Sequence, residues 1–158
     1  MQRRRLLQSA ILLGTGMLPP WARAHHGWAS FDDSQPLYIS GPAKRVQWKN
    51  PHAEIVVSVA ADAALPANLV QQTVPAQSTP VDSARILGAT RLPSRRGDWT
   101  LELAPMFRIN AWKIPEPKVG DTVAAVGYAL KDGKEPGFLR VEYLIVAGQW
   151  YGLRSSPA

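Results

Sequence analysis

The stretch of residues 46–59, VQWKNPHAEIVVSV, contains two alternating runs separated by an Asn-Pro break. In the first run Val46 and Trp48 fall on one face, with the polar residues Arg45, Gln47 and Lys49 on the other. The second run places three apolar residues on one face: Ile55, Val57 and Val59. Alternation with a period of two is typical of strands that bury one face. Asn50-Pro51 interrupts the pattern because the residue before a proline is pushed away from helical geometry. The stretch therefore predicts two successive strands joined by a turn.

The segments on either side of this stretch extend the pattern to five strands. The first two are Leu37–Trp48 and His52–Val59, the third is Trp99–Leu103, and the last two are Thr122–Leu130 and Phe138–Val146. A short helix is predicted at Pro105–Trp112, and Gly41 marks a bend where a barrel strand curls. This order predicts an all-β fold, a small five-stranded OB-like barrel with one short helix between strands three and four. An open β-sandwich is the alternative.

The chain of 158 residues has room for one such domain, which we expect to span residues 25–158. Residues 60–97 break the alternation and are rich in Ala, Pro, Gln, Ser and Thr. We predict that they form a long flexible surface insertion, with the Arg95-Arg96 pair at a solvated loop end.

Residues 1–24 have the three parts of an export signal. A basic start at Arg3-Arg4-Arg5 is followed by a moderately apolar middle and by the small-x-small sequence Ala22-Arg23-Ala24. Cleavage after Ala24 and a periplasmic location are therefore expected. The pattern Arg3-Arg4-x-Leu6-Leu7 favours twin-arginine export over the ordinary secretory route.

Charge and composition argue against several classes of function. The formal net charge is +6, but 4 of the 18 basic residues lie in the expected signal, which leaves 14 against 12 acidic residues and a net charge of +2. That charge is too small to predict nucleic-acid binding. No mature segment has the length and hydropathy of a transmembrane span. Because the chain has no cysteine, disulfides, thiolate catalysis and thiolate metal sites are excluded.

The only three histidines lie in two short motifs, His25-His26-Gly27-Trp28 and Asn50-Pro51-His52. Cleavage after Ala24 would make His25 the first residue, so that its α-amine and its ring can chelate one ion. His52 lies at the predicted turn between the first two strands and would supply a further imidazole. The candidate metal ligands are therefore His25 and His52, with His26 as an alternate.

Such a nitrogen-rich site favours copper(II), with zinc as the less favoured metal. The alternative interpretation is structural. His25 and His26 would then be a polar chain end, and His52 would cap the turn at Asn50-Pro51.

Two functional hypotheses follow. The first is an exported periplasmic protein that binds copper at its N-terminal histidines. The second is a non-enzymatic OB-like interaction module for a periplasmic protein or an envelope ligand. The sequence favours a non-enzymatic protein, because phosphate loops, serine elbows and His-Glu-x-x-His are all missing. Glu102 and Glu142 alternate with apolar residues and are expected on a solvated face.

A set of motifs spread along the chain resembles a family of small exported bacterial proteins that is catalogued as a domain of unknown function. The resemblance implies an extracytoplasmic location and no defined activity, with motif residues of unassigned role at His25, His26, Asn50, Pro51 and His52. The matching positions are His25-His26-Gly27-Trp28, Phe31-Asp32, Pro36-Leu37, Gly41, Trp48, Asn50-Pro51-His52, Trp99–Glu102 and Gly120-Asp121 to Gly127.

Overall fold

The computed structural model describes residues 27–133 and 135–158. Six strands form one sheet: β1 Leu37–Gln47, β2 Glu54–Val59, β3 Gly97–Glu102, β4 Thr122–Ala129, β5 Phe138–Val146 and β6 Gln149–Gly152. Two short helices accompany them: α1 Ser83–Ala89 and α2 Met106–Ala111. The expected signal, residues 1–24, lies outside the described residues, as do His25 and His26.

The strand order β3-β2-β1-β4-β5-β6 becomes a closed barrel because β3 also pairs with β5, in parallel. All other pairings are antiparallel, and α2 lies between β3 and β4 along the chain. The predicted five-stranded OB-like barrel is thereby confirmed, including the position of its helix. β6 adds a sixth strand outside the closed ring, and α1 is a helix that the sequence pattern did not predict.

The barrel core follows the alternation in β2 and β3. Ile55 and Val57 are 0% exposed, and their β3 neighbours Leu101 and Trp99 point the same way. A single apolar cluster fills the barrel and continues under α2 through Ile109. Burial of these side chains supplies the main driving force for folding, at about 25 cal/mol per Å² of apolar surface.

Two glycines permit the close strand approaches that barrel closure requires. A Cβ on Gly41 would overlap the carbonyl of Ser58 in β2, and a Cβ on Gly127 would overlap the carbonyl of Arg140 in β5. The bend expected at Gly41 thus coincides with a tight crossing of β1 over β2.

β5 carries a bulge that breaks its predicted alternation. Val126 of β4 opposes Tyr143, but the next residue, Gly127, opposes Val141, so that Glu142 is an extra residue in β5. Leu139 and Val141 therefore belong to the barrel core, whereas Tyr143 belongs to a separate cluster outside it. Alternation in the sequence of β5 predicts that Leu139, Val141, Tyr143 and Ile145 share one face. This prediction is wrong, because the bulge shifts the side-chain period by one residue.

The segment between β2 and β3 packs against the outside of the barrel. Its Leu69, Ile86 and Leu87 are at most 3% exposed and contact Tyr143 and Val126 of the sheet. The structure differs here from a surface loop, since this segment builds a second apolar cluster around α1. The sequence did not predict this second cluster, because only a few irregularly spaced apolar residues of 60–97 contact the sheet.

Among the described residues, none of the helices has the length and apolar character needed to cross a membrane.

Candidate functional site

His52 is the one predicted metal ligand within the described residues. It lies between β1 and β2, directly after the cis Asn50-Pro51 bond, and its side chain is 16% exposed. Nδ1 of His52 lies 4.0 Å from Oε2 of Glu102 at the end of β3. The alternation expected for β2 is confirmed, because Ala53 and Ile55 are buried while His52 and Glu54 are partly exposed.

Glu102 forms a buried ion pair with Arg140. The two residues are partners in the parallel β3–β5 pairing, and Nη1 of Arg140 donates to Oε1 of Glu102. Glu102 is 7% exposed and Arg140 is 9% exposed. One carboxylate therefore faces both the imidazole of His52 and the guanidinium of Arg140.

Glu142, the bulge residue, forms a second pair with Arg154 of the C-terminal tail. Arg154 donates through Nε, at 2.9 Å, and through Nη2 to the same oxygen, Oε2 of Glu142. The Glu142 side chain is fully buried, and this burial raises its pKa above the ordinary glutamate value. The hydrogen bond and charge of Arg154, the nearby Gln77 amide and the charge of Arg140 oppose that rise.

Trp28 covers both ion pairs. Its ring centroid lies 3.9 Å from Cζ of Arg154 and 5.1 Å from Cζ of Arg140, which is the geometry of cation–π contacts. The ring also meets Phe31 and Tyr128 edge-on, both at 6.3 Å between centroids. The start of the described chain is thereby anchored on the outer face of β4 and β5. We call the group formed by Trp28, Glu102, Arg140, Glu142 and Arg154 the outer polar cluster.

The expectation that Glu102 and Glu142 lie on a solvated face is wrong. Both point away from the barrel interior, but Trp28 and the tail containing Arg154 cover them. Alternation along one strand reports only which side of the sheet a residue occupies, and a second layer on that side is a long-range feature. A possible signal was the run Leu139–Tyr143, in which two opposite charges interrupt apolar residues.

The metal site predicted at His52 is not assembled by the described residues alone. The described residues contain no group of three or more His, Cys, Asp and Glu side chains that could hold a metal ion. His25 and His26 lie outside them, so the predicted three-histidine grouping remains a prediction. What the structure brings together is His52 and the Glu102 carboxylate, 4.0 Å apart and therefore beyond hydrogen-bond distance.

The motif resemblance agrees with a comparison of the chain with family models. Residues 17–76 match the family of unknown function DUF6152. The prediction of an uncharacterised family is thereby confirmed for this part of the chain. Neither a curated protein nor a solved structure matches.

The matched part includes both histidine motifs, β1, β2 and the beginning of the segment that follows β2. It ends before α1 and before four members of the outer polar cluster: Glu102, Arg140, Glu142 and Arg154. The family therefore supplies a relationship but no chemistry for the site.

Proposed function

We propose that this protein is exported to the periplasm and binds copper(II) there. The ligands are the α-amine and ring of His25 together with the ring of His52, and His26 is an alternate ligand. The observation that carries the proposal is the anchoring of Trp28 over Arg140, whose ion-pair partner Glu102 lies 4.0 Å from His52. Trp28 thus lies over the ion pair whose carboxylate is next to His52.

The proposal requires the two histidine motifs to meet. His25 precedes Trp28 by three residues, and an extended chain of that length reaches roughly 10 Å. Glu102 supports His52 in this role through its charge alone, because its Oε2 lies 4.0 Å from Nδ1 of His52, beyond hydrogen-bond distance.

Nitrogen ligands and the lack of cysteine favour copper(II) over softer metals, and copper(II) binds such sites more tightly than zinc does. The terminal amine forms only when the signal is cleaved after Ala24. The complete site would therefore assemble after export, by either the twin-arginine or the secretory route.

The test is a copper(II) titration of the mature protein, made with a native His25 terminus and followed by electron paramagnetic resonance. We expect one tight equivalent that is lost or spectrally shifted in His52→Ala and in a version with one extra N-terminal residue. Lys49→Ala, at an exposed position beside the same turn and outside the ligand set, is the matched control and should retain the site. Binding that survives both the extra residue and His52→Ala would refute the proposal.

A second candidate is a non-enzymatic interaction module for a periplasmic protein or an envelope ligand. One observation favours it: His52 lies beside the buried Glu102–Arg140 pair, which gives this histidine a structural setting that needs no metal. A ligand footprint on Trp28 and the outer strand face that is unchanged in His52→Ala would favour this candidate over copper binding.

A further inference from the structure

A cleft of about 400 Å³ opens at one end of the barrel, where β1 begins and β4 ends. Its walls come from three parts of the chain: the turn at residues 32–35, the segment 91–95 that precedes β3, and residues 129–130, 133 and 135–137 at the end of β4 and after it. We call it the barrel-end cleft. Its volume lies within the range of about 300–1,000 Å³ that is typical of small-molecule sites.

The floor of the barrel-end cleft is apolar. Leu37 at the start of β1 and Trp99 in β3 lie at its base, together with Leu92 and Leu130. The indole nitrogen of Trp99 donates to the carbonyl of Arg95 at 3.3 Å, which fixes the ring against this wall. An apolar ligand group would therefore meet a preformed surface.

Two guanidinium groups line one wall. Arg91 donates through Nη1 to the carbonyls of Gly88 and Thr90, at 3.2 and 2.9 Å, and Arg95 donates through Nη1 to the carbonyl of Asp98. Within the described part of the chain, neither guanidinium forms an ion pair with a carboxylate. Their positions are fixed by neutral carbonyl groups, so their charge remains available to a carboxylate ligand.

Two carboxylates line the other walls of the same cleft, Asp32 and Glu135. The backbone nitrogen of Asp32 donates to the carbonyl of Ala129 at 2.9 Å, which ties the turn to the end of β4. Oδ1 of Asp32 accepts from the backbone nitrogen and hydroxyl of Ser34, at 3.1 and 2.6 Å. The Asp32 carboxylate is therefore held at the cleft by its own turn.

We propose that the barrel-end cleft binds a small amphipathic zwitterion, with the chemistry of a free apolar α-amino acid. The guanidiniums of Arg91 and Arg95 bind the carboxylate of the ligand, Asp32 binds its ammonium group, and the apolar side chain lies on Leu37 and Trp99. This assignment uses both signs of charge in the walls together with the apolar floor. An anion or a hydrocarbon alone would leave one of these features without a partner.

The experiment is isothermal titration calorimetry with L-leucine and two analogues. N-acetyl-L-leucine lacks the ammonium group, and L-leucinamide lacks the carboxylate. We expect saturable binding of L-leucine and affinities at least about tenfold weaker for both analogues, since each loses a charged hydrogen-bond partner. Failure of L-leucine to saturate at millimolar concentration, or equal binding of either analogue, would overturn the proposal.

Variants assign the partners of each group. The double variant Arg91→Gln, Arg95→Gln should weaken L-leucine binding at least about tenfold, and Asp32→Asn should weaken it by a similar factor. Arg45→Gln is the matched control, because Arg45 is an exposed arginine of β1 outside the cleft. An equal loss of affinity in the control would contradict the assignment. The comparison of the three ligands uses the unaltered protein, so that test stands even if a variant fails to fold.

Discussion

Glu142 illustrates how one residue can be placed by a local irregularity and then depend on distant partners. The β5 bulge turns its side chain out of the barrel, and the C-terminal tail brings Arg154 over it. A buried carboxylate of this kind is costly unless a partner compensates for its lost hydration. The hydrogen bonds from Arg154 provide that compensation, although the pKa of Glu142 is still raised by burial.

Glu142 should make folding less favourable as pH rises. Because its pKa is higher in the folded state than in the unfolded chain, the folded state binds more protons between those two pKa values. The contribution of Glu142 to the free energy of unfolding is therefore greatest below the ordinary glutamate pKa. It falls as pH rises through the raised pKa of Glu142 in the folded state. Urea unfolding of the wild type and Glu142→Gln across this interval should show the wild type losing stability relative to the variant; a relative gain would contradict it.

Gly127 is needed for its lack of a side chain. In Gly127→Ala the new Cβ would overlap the carbonyl of Arg140, a backbone atom that cannot rotate away, so we expect a loss of about 3 kcal/mol. Gly88→Ala in α1 is the control, since a Cβ there meets nothing within 4 Å and alanine favours the helix by up to about 1 kcal/mol. Equal effects of the two changes on chemical unfolding would refute this role of Gly127.

At the scale of elements, the segment between β2 and β3 acts as a second layer on the sheet. Asp82 caps α1 by accepting a hydrogen bond from the backbone nitrogen of Arg85. Ser83 and Tyr143 share a hydrogen bond of 2.8 Å between their hydroxyl groups, which links α1 to β5. The helix is only seven residues long, so its stability depends on this packing rather than on helix propensity.

Leu87→Ala should destabilise the whole protein, because Leu87 is 2% exposed in the cluster under α1. The expected loss is about 2–5 kcal/mol, the range for truncating a buried leucine. Leu65→Ala, at a position that is 36% exposed in the same segment, is the control and should cost less than about 1 kcal/mol. If both variants unfolded at the same urea concentration as the wild type, the segment would not be part of the folded core.

At the scale of the whole molecule, the two ends of the described chain meet over the barrel. Trp28 comes from the first turn and Arg154 from the tail, and they stack 3.9 Å apart above Glu142. The outer polar cluster therefore depends on both ends of the chain being docked. The proposed copper site depends on this cluster, because His25 precedes Trp28 by only three residues in the chain.

Trp28→Ala should destabilise the fold by about 2 kcal/mol, through the loss of cation–π and edge-on ring contacts. It should also weaken copper(II) binding, because the chain that carries His25 would lose its anchor. Trp28→Phe keeps an aromatic ring. Its unfolding temperature and its copper(II) affinity should therefore lie between those of the wild type and those of Trp28→Ala. Unchanged stability in Trp28→Ala would show that the ring does not secure the N-terminal segment.

The sequence by itself determined the five strands, their order and the helix after β3, because alternation, glycines and prolines act over a few residues. It also placed Ile55, Val57 and Val59 on the buried face of β2. Only the tertiary structure decided that β3 closes on β5, that Glu142 is a bulge residue, that Glu102 and Glu142 are covered, and that three segments form the barrel-end cleft. These features depend on contacts between residues far apart in the chain, and the period of a single strand carries no information about what packs on its outer side.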